Sequence, residues 1–151
     1  MLVTVITDAS YCPETKAAGF GYWAVSQRMR KYGGGPLREL PRNSQEAEML
    51  AIVNAVIKAC ESGVAEAGDE ILIQSDCLGA LNTFEGKRTR VADWEQGIVD
   101  GLAVFGIELN LFFRYRHVKG HTNGATPRLW VNNLCDKHAK EGMRERRSQL
   151  K

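Results

Sequence analysis

An α/β fold built on a mixed sheet is predicted by three observations. β-forming runs come first and in succession, a helical period takes over in the middle, and strands alternate with helices thereafter. Leu2 to Thr7 is nearly all apolar or β-branched, as expected of a strand covered on both faces, and Asp8 follows where small residues begin. After the turn-rich YCPETK, Ala17 to Gln27 reads as a second strand, and Arg30 to Leu40 (RKYGGGPLREL) holds a third. Three strands with short connections imply a meander. From Asn43 to Glu61 the apolar period becomes about 3.6 residues, with Ser62-Gly63 as the stop. Glu70 to Asp76 is a fourth strand, Cys77 to Phe84 a short helix, Val91 to Gly106 a longer one, and Ile107 to Val118 a fifth strand. A last helix is expected from about Leu129 to Arg147. Helices between the later strands require crossovers, hence parallel pairing.

The chain has 151 residues, enough for one domain spanning residues 1–151 that buries about 68–70% of its unfolded surface. Hydrophobic residues at 44% and charged residues at 25% suit a globular protein, and no apolar run approaches the ~18 residues of a membrane span. MLVTVITD lacks a basic region and reaches Asp8 too early for a signal peptide, so a cytoplasmic protein without membrane attachment is expected. Cys12, Cys60, Cys77 and Cys135 are widely separated, which suits neither a zinc site nor a disulfide framework. A net charge of +2 does not by itself indicate a polyanion partner, but basic residues gather in GKRTR, Gly86 to Arg90, and in the tail from Met143 to Lys151. A monomer is the default expectation.

Four acidic residues carry the chemical argument. Asp8 and Asp76 both stand where an apolar strand gives way to small residues, at the carboxyl ends where α/β sheets bind ligands. Taken alone, either serves as a turn former or a helix N-cap. In the first long helix, Asn54, Lys58 and Glu61 define a solvent face, while Met49, Ile52, Ala55, Val56 and Ala59 define a buried arc. Glu48 falls beside that arc and Glu46 outside it. Asn43 and Glu46 have the spacing of a capping box, so Glu46 is assigned to the helix start and Glu48 to a site. Asp136 begins a row on the last helix that continues through Ala139 and Met143. Four carboxylates brought together repel one another unless divalent cations hold them. All-oxygen ligation points to Mg2+ or Mn2+.

TDAS, AEMLAI, QSD and KGHT followed by NNLCDKHA resemble, in order and element type, the motifs of the ribonuclease H type 1 family, and DWEQ before the fifth strand agrees. The resemblance covers nearly the whole chain. It implies the ribonuclease H-like fold, a five-stranded mixed sheet whose first three strands are antiparallel, flanked by helices. It also implies hydrolysis of the RNA strand of an RNA–DNA hybrid, with 5′-phosphate and 3′-hydroxyl ends. Asp8, Glu48, Asp76 and Asp136 correspond to the family's acids and would hold two Mg2+ ions, with Mn2+ as a substitute, in two-metal catalysis. His121 matches the family's loop histidine, which assists proton transfer or product release. The loop GHTNGATPR around it has the composition of a hinge. His117 and His138 are read as structural.

Departures from the family pattern concern substrate contacts. Ala9 stands where the family often has glycine, and with Ser10 it borders the first acid. Asn43, Ser44 and Gln45 replace a Thr-Asn-Asn type stretch, and remain suited to minor-groove contacts with 2′-hydroxyls. Leu78 replaces a common glutamine. A long basic protrusion of some members shrinks to FEGKRTRVADW, where Lys87, Arg88 and Arg90 are candidates for DNA phosphates. A junction resolvase or integrase-like nuclease of the same fold is the nearest rival, but such proteins lack KGH before the final acid. A non-catalytic hybrid-binding module has no use for a carboxylate cluster facing phosphates.

Overall fold

The computed structural model of the chain describes residues 1–119 and 127–151. Its strands are β1 (Leu2–Tyr11), β2 (Ala18–Val25), β3 (Arg30–Pro36), β4 (Glu70–Ser75) and β5 (Phe112–His117), arranged β3-β2-β1-β4-β5. β1, β2 and β3 form the expected antiparallel meander, while β4 pairs in parallel with β1 and β5 in parallel with β4. The helices are α1 (Ser44–Glu61), α2 (Leu78–Phe84), α3 (Asp93–Glu108) and α4 (Pro127–Gln149). None of the described helices is long and apolar enough to cross a membrane.

β1 is covered on both faces, which explains its near-continuous apolar run. Val3 and Val5 pack in one core with Ala51, Ile52, Ala55 and Val56 of α1, all at 0% exposure. Ile6 faces the other way, against Val131 and Cys135 of α4 and Trp23 of β2. Each fully buried valine or isoleucine here contributes roughly 1.5–3 kcal/mol. At the amino end of the sheet, Asp69 accepts hydrogen bonds from Arg28 Nη1 at 2.6 Å and Nη2 at 3.1 Å, and from the terminal amine of Met1 at 3.3 Å. The Arg28 bond, above all, holds its carboxyl well below the usual range against the effect of burial.

The approach of α4 depends on glycine. A Cβ on Gly21 would lie 1.9 Å from the carbonyl oxygen of Cys135, and one on Gly142 would lie 2.2 Å from that of Gly35. Backbone meets backbone at both points, so neither contact can relax by rotating a side chain. Gly21→Ala is therefore expected to lower stability by about 1–3 kcal/mol or more, measured by denaturant unfolding, and to shift α4 with Asp136 on it. An unchanged midpoint would show that α4 is not seated this tightly.

Several boundaries differ from the sequence expectation, each for a local reason. β1 continues past Thr7 to Tyr11 because β2 keeps pairing with it to Tyr11↔Ala18. Asp8 is thus within a strand and not at its end. β3 stops at Pro36, which lacks the N–H to continue a ladder, rather than reaching Leu40. α3 runs from Asp93 to Glu108, and the left-handed turn at Asn110, φ 54, delays β5 to Phe112. α4 spans Pro127–Gln149, about a residue pair longer at each end than expected.

Candidate active site

β1 and β4 are in register from Leu2↔Glu70 to Ile6↔Gln74, and there their pairing ends. Asp8 and Asp76 each lie two residues past that last pair, so the two carboxylates come level where β4 gives way to α2. β2 holds Asp8 in place through its pairing with Gly21, and Ala9 N–H donates to Asp8 Oδ1 at 2.9 Å. α1 supplies Glu48 from its second turn. One ligand oxygen from each of Asp8, Glu48 and Asp76 lies within 4.8 Å of the others.

The electrostatics are unfavourable without a cation. Burial, then the charges of Asp76 and Asp136, push Asp8 from 3.8 up to about 7 against the opposing Ala9 N–H and Lys140. Burial raises the Glu48 carboxyl well above its ordinary range, and Asp8 and Asp76 add to it. Among the described residues Glu48 Oε2 is a buried oxygen with no hydrogen-bond partner. An orphaned buried carboxylate oxygen facing two further carboxylates fits a hard divalent cation, and the donor set is all oxygen. Asp136 is half-buried like the other three but is paired with Lys140 at 2.9 Å, one helical turn on. Its charge nevertheless reaches Asp8.

Glu46 corrects the helical-wheel assignment. It is 6% exposed, although its wheel position lies outside the buried arc. The connection before α1 covers it: Glu46 Oε1 accepts from Arg42 N–H at 2.6 Å, Oε2 accepts from Arg42 Nη1 at 2.6 Å, and Asn43 Oδ1 accepts from Glu46 N–H at 2.8 Å. The cap is half a capping box, displaced by one residue.

Substrate candidates fall into separate groups. Ala9, Asn43 and Ser44 line an open groove with Glu48, joined by Tyr11, Lys16 and Arg42, which the sequence did not single out. Arg42 also lies over the ring of Trp94, 5.1 Å from its centroid. Ser10 is half-buried in the β1–β2 ladder, opposite Gly19. Lys87 pairs with Glu85 at 3.0 Å, and Arg90 is exposed. Arg88 is turned inward to Glu95, which also accepts from Gln45 Nε2 at 2.7 Å. His121 and the loop around it lie outside the described residues. His117 Nε2 sits 3.1 Å from the carbonyl oxygen of Asp76, a structural contact that steadies the strand end. Asn132 and Asn133, unremarked in the sequence reading, line a small pocket with Asp8, Asp76 and Thr7. Their signal was present: they precede Asp136 by four and three residues, on the same helical face.

The fold is shared with several solved proteins. The RNase H1 of the halophilic archaeon Halobacterium salinarum NRC-1 superposes with a TM-score of 0.72 at 18% identity, over 96% of this chain and 99% of that one. The N-terminal RNase H domain of Rv2228c from Mycobacterium tuberculosis gives 0.70 at 13% identity, over 99% of each chain. LC11-RNase H1, from compost metagenomic material, in complex with an RNA/DNA hybrid gives 0.65 at 15% identity, over 95% of this chain and 97% of that one. At these identities the likeness establishes the fold. A search of curated proteins gives no match. The protein-family model described as RNase H matches residues 2–144, from the first residue of β1 to beyond Asp136 on α4, and the chain therefore belongs to the RNase H family of enzymes.

Proposed function

We propose that the protein is a type 1 ribonuclease H that hydrolyses the RNA strand of an RNA–DNA hybrid, leaving 5′-phosphate and 3′-hydroxyl ends. The observation that carries this reading is the gathering of Asp8, Glu48 and Asp76 within 4.8 Å, with Glu48 Oε2 buried and unpartnered. These three, with Asp136, would hold two Mg2+ ions, or Mn2+ in their place. Bound divalent cations supply Lewis acidity to the scissile phosphate and to the attacking water. Asp8 and Glu48 are in place to orient those ions because β1 and the inner face of α1 pack into one core.

Asp136, on a helix pressed against β2 through Gly21, completes the acid set from the opposite side of Asp8. His121 is assigned proton transfer or product release on the family resemblance. The groove lined by Ala9, Asn43, Ser44, Lys16 and Arg42 suits a nucleic-acid strand led to Glu48, and Lys87 and Arg90 suit phosphates of the other strand. A solved relative that carries an RNA/DNA hybrid supports this substrate class. The protein is read as a cytoplasmic monomer.

Purified protein incubated with labelled hybrid, DNA duplex and single-stranded RNA tests the reading. Mg2+-dependent cutting of the hybrid's RNA strand alone is expected, and equal cutting of DNA duplex would overturn it. His121→Ala is expected to lower kcat by about 10–100-fold without abolishing it, as suits a residue that moves protons rather than holding metal. Complete loss with metal binding intact would assign His121 a larger part.

A further inference from the structure

We infer that Glu95 is a positioning residue that fixes the side-chain amide of Gln45 in one sense, presenting its carbonyl oxygen as an acceptor for the hydroxyl-bearing strand. The inference rests on the hybrid-hydrolase reading above. Glu95 is 4% exposed and joins the start of α3, the basic loop before it and, from far away in sequence, the start of α1. Its Oε1 accepts from Ala92 N–H at 3.1 Å at the start of α3, and its Oε2 accepts from Gln45 Nε2 at 2.7 Å and from Arg88 Nη1. Arg88 also donates to Thr83 Oγ1 at 2.9 Å, so the basic loop is tied to the same carboxylate.

An ionised carboxylate can only accept. Gln45 must therefore turn its NH2 toward Glu95, which sends Oε1 the other way. That oxygen lies above Gly79, where a Cβ would come within 2.3 Å of it, and among the described residues it accepts no hydrogen bond. Gly79 is three residues beyond Asp76 and Gln45 is three before Glu48, so this oxygen lies between the two segments that carry those acids. A 2′-hydroxyl offers a donor to such an oxygen, whereas deoxyribose does not. Glu95 thus acts on strand choice through Gln45, without touching substrate.

Two variants reach this oxygen from opposite sides. In Glu95→Gln, an amide oxygen kept on Ala92 N–H turns the new NH2 toward both Gln45 and Arg88, so Arg88 is released and the Gln45 amide inverts to present Nε2 over Gly79. In Gly79→Ala, the added methyl displaces Oε1 while the Arg88–Glu95 pair is kept, and alanine favours the α2 helix. KM for hybrid cleavage and KI for a DNA duplex of the same sequence as competitor are to be measured for each. Both variants are expected to lower the ratio of KI to KM about fivefold, with kcat changed by less than about twofold. Neither should worsen the ratio of Gln45→Ala when combined with it. Wild-type activity on hybrid with an unaltered ratio in both variants would overturn this inference alone. A wild-type protein that leaves hybrid intact would overturn the reading it rests on, and the inference with it.

Discussion

Glu48→Gln is expected to make the metal-free protein more stable while removing its activity. In the absence of cation, Glu48 has a buried oxygen with no partner and faces the carboxylates of Asp8 and Asp76. Neutralising it relieves that repulsion, and Gln keeps the shape of the side chain. Thermal unfolding in chelator should show a gain of about 0.5–2 kcal/mol. Cleavage of hybrid in saturating Mg2+ should fall by about 1,000-fold or more, since the amide contributes a weaker, uncharged ligand. Asp76→Asn should behave alike in activity. Opposite signs on stability and activity are the mark of a residue kept for its site and not for the fold. A lower melting point in chelator would show that the Glu48 carboxylate is satisfied within the protein itself.

The same contrast explains what was legible in the sequence. Strand and helix order could be read because local pattern and burial agree: the apolar run of β1 is covered by α1 and by α4, and the α1 arc at Met49, Ile52, Ala55 and Val56 is fully buried. Asp8 was found, but its setting was not. Its strand runs on because β2 outlasts β4 as a partner, a property of pairing between segments that no single segment carries. Glu46 escaped the wheel because the loop at Arg42, not the helix, buries it. Arg88 looks in sequence like the other members of its basic cluster, and only the fold brings Glu95 against it. Asn132 and Asn133 had a readable position relative to Asp136, but amides on a polar helix face are common enough to pass unnoticed. Acids stood out because a carboxylate beside an apolar row needs an explanation, whereas an arginine in a loop does not.

Removing divalent cations is expected to give the protein an inverted pH dependence in the neutral range. Folding raises the Asp8 carboxyl from its ordinary 3.8 to about 7, first through burial and then through the charges of Asp76 and Asp136. Between those values the folded state binds more protons than the unfolded one, so stability must fall as pH rises. Glu48 shifts in the same direction. The loss begins near pH 4, is complete a little above pH 7, and should amount to about 2 kcal/mol once water in the open groove is allowed for. Asp69 has the opposite sign. Its carboxyl is held low by Arg28, so its contribution is present above pH 4 and disappears only as pH falls further. In chelator, the two groups together place maximum stability on the acid side of neutral. Saturating Mg2+ would take the place of the proton at the carboxylate cluster, and should raise the melting point at pH 8 far more than at pH 5. Thermal melts across pH 4–9, with chelator and with Mg2+, check both claims. Stability that rises toward pH 8 in chelator, or curves that coincide with and without Mg2+, would mean that the carboxylates are stabilised by the protein and not by a cation. Asp76→Asn should flatten the chelator curve, because the charge it removes is the larger of the two that raise Asp8.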